Sequence, residues 1–367
     1  MLGPTCLAQP KNGAVALADP GWRRYHRAMP PPAPRPIAER AAVDSETFLR
    51  EVAGGYRPIV LRGQVAHWPA VAAGRRGPRA TAEYLIGLGD GRPLDVMIGP
   101  PEIGGRFFYA DETFSGFNFH RQHVALGPFL GELLRYAESG EARPHALYAN
   151  SAAAPEHLPG WDAANALGLA IDATARLWIG NATQITAHYD TSSNIACVVA
   201  GRRRFTLFPP EQFENLYVGP LDTTPAGQPV SLVDPDAPDL DRFPRFAEAL
   251  AHAQTAELEP GDAIFIPPIW WHHVRALDAL NVLVNYWWGH ESGAAFPALV
   301  HAVMAVRDLP TPEKAAWRSW FDHLVFAEDA AAAADHLPPA SRSVLGPPGA
   351  QRDQRLRDFL IRMLQAG

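Results

Sequence analysis

Two short segments of the chain combine residue types that bind metal ions. The first is the His-Tyr-Asp triplet that begins at His188, and the second is the Trp-Trp-His-His run that ends at His273. On a β-strand, residues i and i+2 point to the same face, so we expect His188 and Asp190 to project together into the interior of the fold. A histidine from a second strand, His272 or His273, would complete a set of two imidazoles and one carboxylate. Such a set binds Fe(II) and leaves coordination positions open for other ligands.

The triplet alone is a weak indication, because a chain with 14 histidines contains roughly one His-x-Asp by chance. Its setting strengthens it, since apolar runs flank the triplet and bulky rings precede His272. Another pair, His120 and His123, is three residues apart and would meet on one helical turn. No carboxylate nearby completes a metal site there, so we expect these two histidines to be solvated.

Strands must position these residues. Between about Ala146 and Trp288, short β-branched and aromatic runs alternate with turn signals, which is typical of a β-sandwich or barrel. The clearest predicted strands are Thr183–Asp190, Ile195–Val199, Arg203–Phe208, Ala263–Pro267 and Val282–Trp287.

The two ends of the chain differ in composition and periodicity from the predicted strand region. Residues 1–42 are rich in proline and alanine, which predicts an extended arm, and a helix is predicted from about Asp44. Residues 291–367 carry three apolar stripes with helical spacing, and Thr311 is expected to cap the second helix with Pro312 as its first residue. These helices either pack on the barrel or form a homodimer interface, and the sequence favours the two equally.

Composition excludes several classes of protein. Hydrophobic residues make up 47% of the chain and charged residues 19%, which predicts a large core rather than disorder. No apolar run is long enough for a membrane span. A net charge of −7 without a basic block argues against general nucleic-acid binding. Two cysteines exclude a disulfide framework, and the start of the chain lacks a signal-peptide pattern, so we expect a cytoplasmic protein.

A series of motifs lies in order between about Asp44 and Trp288. They are RPIVLRG, HWPA, FFYADETFSGFNF, HYD, AGRRRFTLFPP, DRFPRF, EPGD, IPPIWWHHV and VNYWW. With these motifs the chain resembles the bacterial cupin-like JmjC oxygenases, the group that includes the asparaginyl hydroxylase of hypoxia-inducible factor. The resemblance implies a mainly β, double-stranded β-helix (jelly-roll) domain over residues 43–290, with a helical region at 291–367.

The resemblance also implies an enzyme that uses Fe(II), 2-oxoglutarate and O2. His188 and Asp190 match its first two metal ligands, and His272, directly after the Trp pair, matches the third. His273 is then expected to be a structural histidine. Family members hydroxylate protein side chains, so the resemblance favours a protein or peptide substrate over a small molecule.

Other matching positions concern 2-oxoglutarate. Asn194 and Asn285 match residues that hydrogen-bond this co-substrate near the metal, and Tyr148 resembles a tyrosine that reaches its far carboxylate. Thr186 lies one residue nearer the first ligand than the family threonine. For Tyr148, Thr186 and Asn194, a purely structural role on a strand stays open.

Arg203 is the main departure from the family pattern, because this branch usually has a lysine at that position to hold the far carboxylate. Arginine can bind a carboxylate through two bonds, but its planar group is larger than an ammonium. The two lysines of the chain, Lys11 and Lys314, lie outside the predicted barrel. The alternative is therefore a non-catalytic or sensory metal-binding cupin with an altered 2-oxoglutarate site. A third hypothesis is an interaction protein that docks partners through its Trp-rich helices.

Overall fold

The computed structural model describes residues 33–225, 227–289 and 295–366, so most of the predicted N-terminal arm lies outside the described residues. The strands are β1 (Arg35–Pro36), β2 (Ala38–Ala41), β3 (Ile59–Arg62), β4 (Pro93–Gly99), β5 (Arg106–Phe107), β6 (His120–Ala125), β7 (Ala146–Ala153), β8 (Arg176–Gly180), β9 (Gln184–His188), β10 (Ser193–Ala200), β11 (Arg203–Phe208), β12 (Gln254–Leu258), β13 (Ala263–Ile266), β14 (Trp271–Ala276) and β15 (Asn281–Trp288). The α-helices are α1 (Ser45–Thr47), α2 (Pro69–Arg76), α3 (Pro78–Leu88), α4 (Leu126–Ser139), α5 (Ala154–His157), α6 (Trp161–Ala164), α7 (Phe246–His252), α8 (Ala295–Val306), α9 (Thr311–Phe321) and α10 (Ala350–Ala366).

The strands form two sheets with many non-consecutive neighbours. The six-stranded sheet has the order β1-β12-β11-β14-β9-β5, and the nine-stranded sheet has the order β2-β3-β13-β10-β15-β8-β7-β4-β6. The central pairs, such as β10 with β15 and β11 with β14, are antiparallel. This is the connectivity of a jelly-roll, and the predicted mainly β fold with flanking helices is confirmed.

Strand β10 shows why the barrel strands are continuous apolar runs. Ile195 and Cys197 point to a core that the sheet shares with α2, α3 and α4. Ala196 and Val198 point the other way, to a smaller core between the two sheets that also contains Phe205. Because both faces of the strand are buried, no polar alternation is needed. The space between the sheets is where the inward-facing polar residues lie.

Most predicted strands are present with shifted ends, and one shift matters. The strand predicted over 183–190 is β9, which ends at His188, so Asp190 is not on a strand. The helical turn considered for His120 and His123 is also wrong. Both lie on β6 and are exposed, and a separation of three residues puts them on opposite faces of that strand.

Residue type determines the backbone at the start of α1 and at the turn between β10 and β11. The Asp44 carboxylate caps α1 by accepting a hydrogen bond from the Thr47 N–H at 2.8 Å. Gly201, between β10 and β11, has φ 69°, and a β-carbon there would lie 2.6 Å from the Leu280 carbonyl oxygen. Glycine is therefore required at the turn that leads into Arg203.

Residues 295–366 belong to a second compact unit, which contains helices at all three predicted stripes. Helix α9 begins at Thr311 with Pro310 as its N-cap, so the predicted cap is one residue out. Three large apolar side chains of this unit, Met304, Trp320 and Phe326, are each at least 64% exposed. None of the described helices combines the length and apolar character that a membrane crossing requires.

Candidate metal centre

Strand pairing brings His188 and His272 together. They stand directly opposite each other where β9 and β14 pair antiparallel, and their ring centroids are 4.4 Å apart. The next pair is Ile185 with Val274, so β9 has one residue more than β14 across this step. Such a bulge re-aims the side chains next to it. The register of the two strands, rather than any local pattern, therefore sets the spacing of the imidazoles.

Asp190 is held in the site by contacts from other elements. Its carbonyl oxygen accepts a hydrogen bond from the Ile269 N–H at 2.8 Å, which fixes the loop after β9. Its carboxylate Oδ2 accepts hydrogen bonds from Trp287 Nε1 and from Asn194 Nδ2, each at 3.0 Å. The same Oδ2 is 3.6 Å from His272 Nε2. These donors fix the orientation of the carboxylate beside the two imidazoles.

Backbone carbonyls orient both imidazoles. His188 Nδ1 lies 2.9 Å from the Thr186 carbonyl oxygen, and His272 Nδ1 lies 3.2 Å from the Trp270 carbonyl oxygen. A carbonyl can only accept, so each Nδ1 carries a proton, and Nε2 is the nitrogen left for a metal. Burial, together with the neighbouring His188, lowers the pKa of His272, which keeps that ring neutral. The His272 ring is thus in the form that coordinates a metal.

The ligand atoms of His188, Asp190 and His272 lie within 4.8 Å of one another. Two neutral imidazoles and one carboxylate are a donor set for Fe(II) and similar divalent transition metals, so the residues present fit such an ion. His273 lies on the opposite face of β14 and takes no part in this cluster.

One pocket between the sheets adjoins the cluster. All eight residues singled out from the sequence line it: Tyr148, Thr186, His188, Asp190, Asn194, Arg203, His272 and Asn285. The rest of the lining is largely apolar and includes Phe107, Trp178, Ile185, Phe205 and Leu283. Such a lining excludes water around a few convergent polar groups, as in small-molecule sites.

Arg203 places a cation in this pocket. Its side chain is buried, with 2% of the residue exposed. Nη2 donates to the Trp178 carbonyl oxygen at 3.2 Å, while Nε has no hydrogen-bond partner among the described residues. Burial lowers the pKa of Arg203 and raises that of the adjacent Tyr148, and each group partly offsets the shift of the other. Arg202 is exposed and Arg204 is half-buried, and both pair with carboxylates, as strand alternation predicts.

The predicted amide residues form a chain of hydrogen bonds that ends at the metal cluster. Trp178 Nε1 donates to Asn285 Oδ1 at 2.7 Å, and Asn285 Nδ2 donates to Asn194 Oδ1 at 3.1 Å. Asn194 in turn donates to Asp190, as described above. Thr186 Oγ1 donates to the Phe107 carbonyl oxygen at 3.3 Å. These side chains therefore brace Asp190 and the pocket wall.

Sequence reasoning missed Trp287, Trp178 and the Ile269 amide. The alternation rule could have identified Trp287, because it is two residues after Asn285 on β15 and therefore lies on the same face. No local signal marked Ile269, whose backbone reaches Asp190 only through the folded loop before β14. Its φ of 66° is unusual for a β-branched residue.

Comparison with known proteins decides the family. A profile described as the cupin-like domain matches residues 45–294, which is more than half of the chain. The chain belongs to the cupin-like domain family. The cupin-like JmjC resemblance inferred from the motifs is thereby confirmed.

Several curated proteins are similar to this cupin-like protein. Lysine-specific demethylase 8 of Xenopus tropicalis is 29% identical over 63% of the chain and 48% of its own length. tRNA wybutosine-synthesizing protein 5 of Danio rerio is 29% identical over 68% of the chain and 73% of its own length. Human HSPB1-associated protein 1 is 39% identical over 30% of the chain and 22% of its own length. The first relatives thus extend well beyond the part that this chain matches.

Proposed function

We propose that this cupin-like protein is an Fe(II)- and 2-oxoglutarate-dependent oxygenase that hydroxylates a side chain of a protein or peptide. Its family and the His188, Asp190 and His272 cluster support the metal. The observation that carries the proposal is Arg203, a buried cation in the same pocket.

A buried charge without a partner costs free energy, so the pocket is stabilised by an anion that binds there. Among the described residues, Arg203 donates to the Trp178 carbonyl oxygen and lies beside the Tyr148 hydroxyl, while its Nε is unpartnered. The molecule 2-oxoglutarate has a carboxylate at each end and a keto group beside one of them. The keto acid end can chelate a metal while the far carboxylate reaches Arg203 and the Tyr148 hydroxyl.

In this proposal His188 and His272 bind iron through Nε2, and Trp287 and Asn194 orient the Asp190 carboxylate towards the iron. When bound, iron and 2-oxoglutarate supply the activation of O2, which yields succinate, CO2 and one oxygen atom for a substrate C–H bond. The protein orients these groups, and the apolar lining of the pocket keeps water away from them.

The names of the relatives include protein demethylases and a tRNA-modifying protein, so they do not select one substrate class. A net charge of −7 and the absence of a basic block favour a protein or peptide. Demethylation of an amine begins with hydroxylation of its methyl group, which is then lost as formaldehyde. Mass spectrometry of candidate peptides separates the outcomes, because hydroxylation adds an oxygen whereas demethylation removes a methyl group.

A metal-binding cupin without turnover is the second candidate. The observation in its favour is that Arg203, rather than the lysine usual in this branch, already donates to the Trp178 carbonyl oxygen. This candidate predicts iron binding with no succinate formation.

We also propose that the protein is a cytoplasmic homodimer joined through its C-terminal helices, because apolar side chains of these helices are exposed. Sedimentation of the full chain and of its Trp320→Glu variant tests the dimer.

An anaerobic titration tests the main proposal. Metal-free protein receives Fe(II) and then 2-oxoglutarate, and the visible charge-transfer band of the chelated complex is followed. We expect the band in the wild type, its loss in Arg203→Ala, and its retention in Arg204→Ala, a control on the opposite face of β11. Iron binding without the band in the wild type would overturn the oxygenase proposal in favour of the second candidate.

A further inference from the structure

A buried histidine on the other side of β14 has no partner. His273 is 0% exposed, and neither of its ring nitrogens has a hydrogen-bond partner in the described part of the chain. A buried imidazole ordinarily satisfies at least one nitrogen, so this ring calls for an explanation. It faces away from the pocket, because it alternates with His272 along the strand.

Two carboxylates face this ring. Asp234 and Asp236 belong to a loop over the outer face of the six-stranded sheet, and their oxygen atoms and a His273 nitrogen all lie within 4.8 Å of one another. They are not hydrogen-bonded to the ring. The imidazole and the two carboxylates thus lie around a common point without a hydrogen bond between the ring and either carboxylate, a spacing that suits one shared ion.

Asp234 is already oriented for such a role. Its Oδ1 accepts hydrogen bonds from Gln184 Nε2 at 2.8 Å and from the Asp236 N–H at 2.9 Å. Both bonds fall on one oxygen, which leaves Oδ2 as the ligand atom. Ligating carboxylates are commonly held in this way.

We propose that His273, Asp234 and Asp236 form a second divalent-metal site, distinct from the catalytic cluster. One imidazole and two carboxylates suit a borderline ion such as Zn²⁺ better than Ca²⁺ or Mg²⁺, which prefer oxygen ligands alone. The ion fastens the loop at 234–236 to β14 and, through Gln184, to β9. These are the two strands that carry the catalytic histidines.

The neighbouring cations set the strength of this site. Arg275 Nη1 pairs with Asp236 Oδ2 at 2.6 Å, and Arg204 Nη1 lies 3.7 Å from Asp236 Oδ1 while pairing with Glu257. The Asp234 charge also acts on the nearby Arg106 guanidinium, where it partly offsets the lowering of the Arg106 pKa by burial. Arg275 competes most directly with a metal for Asp236, and its side chain is 45% exposed, so it can turn to solvent. Removal of Arg275 should therefore tighten metal binding.

The test isolates the second site by disabling the first. The full chain with His188→Ala and Asp190→Ala is dialysed against Zn²⁺, and bound zinc is counted. We expect one ion per chain, and two in the wild type. Co²⁺ in place of Zn²⁺ should give visible absorption bands of a nitrogen- and oxygen-bound ion in the doubly substituted protein.

Further substitutions in that background locate the ion. Asp234→Asn with Asp236→Asn should remove the zinc, and His273→Gln should do the same. Asp241→Asn, an equivalent charge change at an exposed position outside the cluster, should retain it. Arg275→Gln should bind zinc about fivefold more tightly, as expected when one competing ion pair is removed.

The doubled asparagine variant keeps the proposal testable if His273→Gln fails to fold, because the two aspartates lie on a surface loop. Two results overturn the proposal: no zinc above the level of the Asp234→Asn and Asp236→Asn variant, or zinc that persists in that variant. A zinc affinity unchanged or weakened by Arg275→Gln also contradicts the assigned ligands.

Discussion

Histidine and arginine have different partners on the two faces of the six-stranded sheet. On the inner face, His272 has one nitrogen bonded to a carbonyl and the other free beside Asp190. On the outer face, both nitrogens of its neighbour His273 lack a hydrogen-bond partner within the described part of the chain and lie opposite two carboxylates. Arg203 faces inward and has no counter-ion among the residues that the structure describes, whereas Arg204 faces outward and pairs with Glu257 at 2.9 Å.

The two faces therefore differ in how their charges are balanced. The inner face has a buried cation that no carboxylate of the described residues neutralises, so its charge balance is completed by a ligand. The outer face is rich in ion pairs, and any ligand there must compete with them. Substitutions at adjacent positions on one strand therefore test the two faces separately.

The largest effect is expected at the metal ligands. His272→Ala removes one imidazole from the iron, so iron affinity and turnover should fall by more than about 100-fold, beyond what loss of a ligand's supporting contact costs. His273→Gln, one residue away, should leave iron affinity at the catalytic cluster within about threefold. Iron titration of both variants checks this. Equal losses in the two variants would break the contrast between the faces.

The next effect concerns the co-substrate. Arg203→Ala should weaken 2-oxoglutarate binding by roughly 100-fold, because a bidentate, charge-assisted contact in a buried pocket is lost. Arg204→Ala should leave that affinity unchanged, since its side chain faces the outer surface. Calorimetric titration of the Fe(II) protein under anaerobic conditions measures both. A similar loss in the two variants would show that the effect is structural.

A smaller effect is expected from the residue that orients Asp190. Trp287→Phe removes the indole donor to Oδ2 but keeps an aromatic ring, so iron affinity should fall about tenfold. Trp288→Phe is the matched control, because Trp288 packs on Phe48 and Phe265 on the other face of β15. Iron affinity measured by chelator competition checks the pair. An unchanged affinity in Trp287→Phe would mean that Asn194 alone fixes the carboxylate.

The smallest effect has the opposite sign. Arg203→Met replaces a buried, unpaired cation by an apolar side chain of similar length, so the free energy of unfolding without 2-oxoglutarate should rise by about 1 kcal/mol. Urea denaturation measures this change. Arg204→Met should change stability by no more than about 0.5 kcal/mol. A loss of stability in Arg203→Met would mean that its bond to the Trp178 carbonyl outweighs the cost of burying the charge.

Residue types predicted a β-sandwich or barrel with His188, Asp190 and a histidine of a second strand, and the motif resemblance added the jelly-roll and the other residues of the pocket. Alternation along β11 correctly placed Arg203 on the face opposite Arg202 and Arg204. The predicted strand ends were close to those observed. The helices of the C-terminal stripes were likewise present where apolar spacing placed them. The predictions of strand faces and helical stripes share a cause, because face and period are local properties of the chain.

The errors and omissions share a cause as well. The alternation rule placed Asp190 on a strand that ends two residues earlier, and the position of its carboxylate is instead set by Trp287, Asn194 and the Ile269 amide. Those partners come from β15, β10 and the loop before β14, and the pairing of His188 with His272 depends on strand register.

Residue types and their period thus determined by themselves that His188 faces inward and that two imidazoles and a carboxylate could bind a metal, while the motif resemblance supplied the other pocket residues. Only the tertiary structure decided how they meet: a cation left without a carboxylate, a carboxylate held by distant donors, and a second histidine aimed at two aspartates. Register and long-range contacts arise from the packing of elements far apart in the chain, which no local pattern encodes.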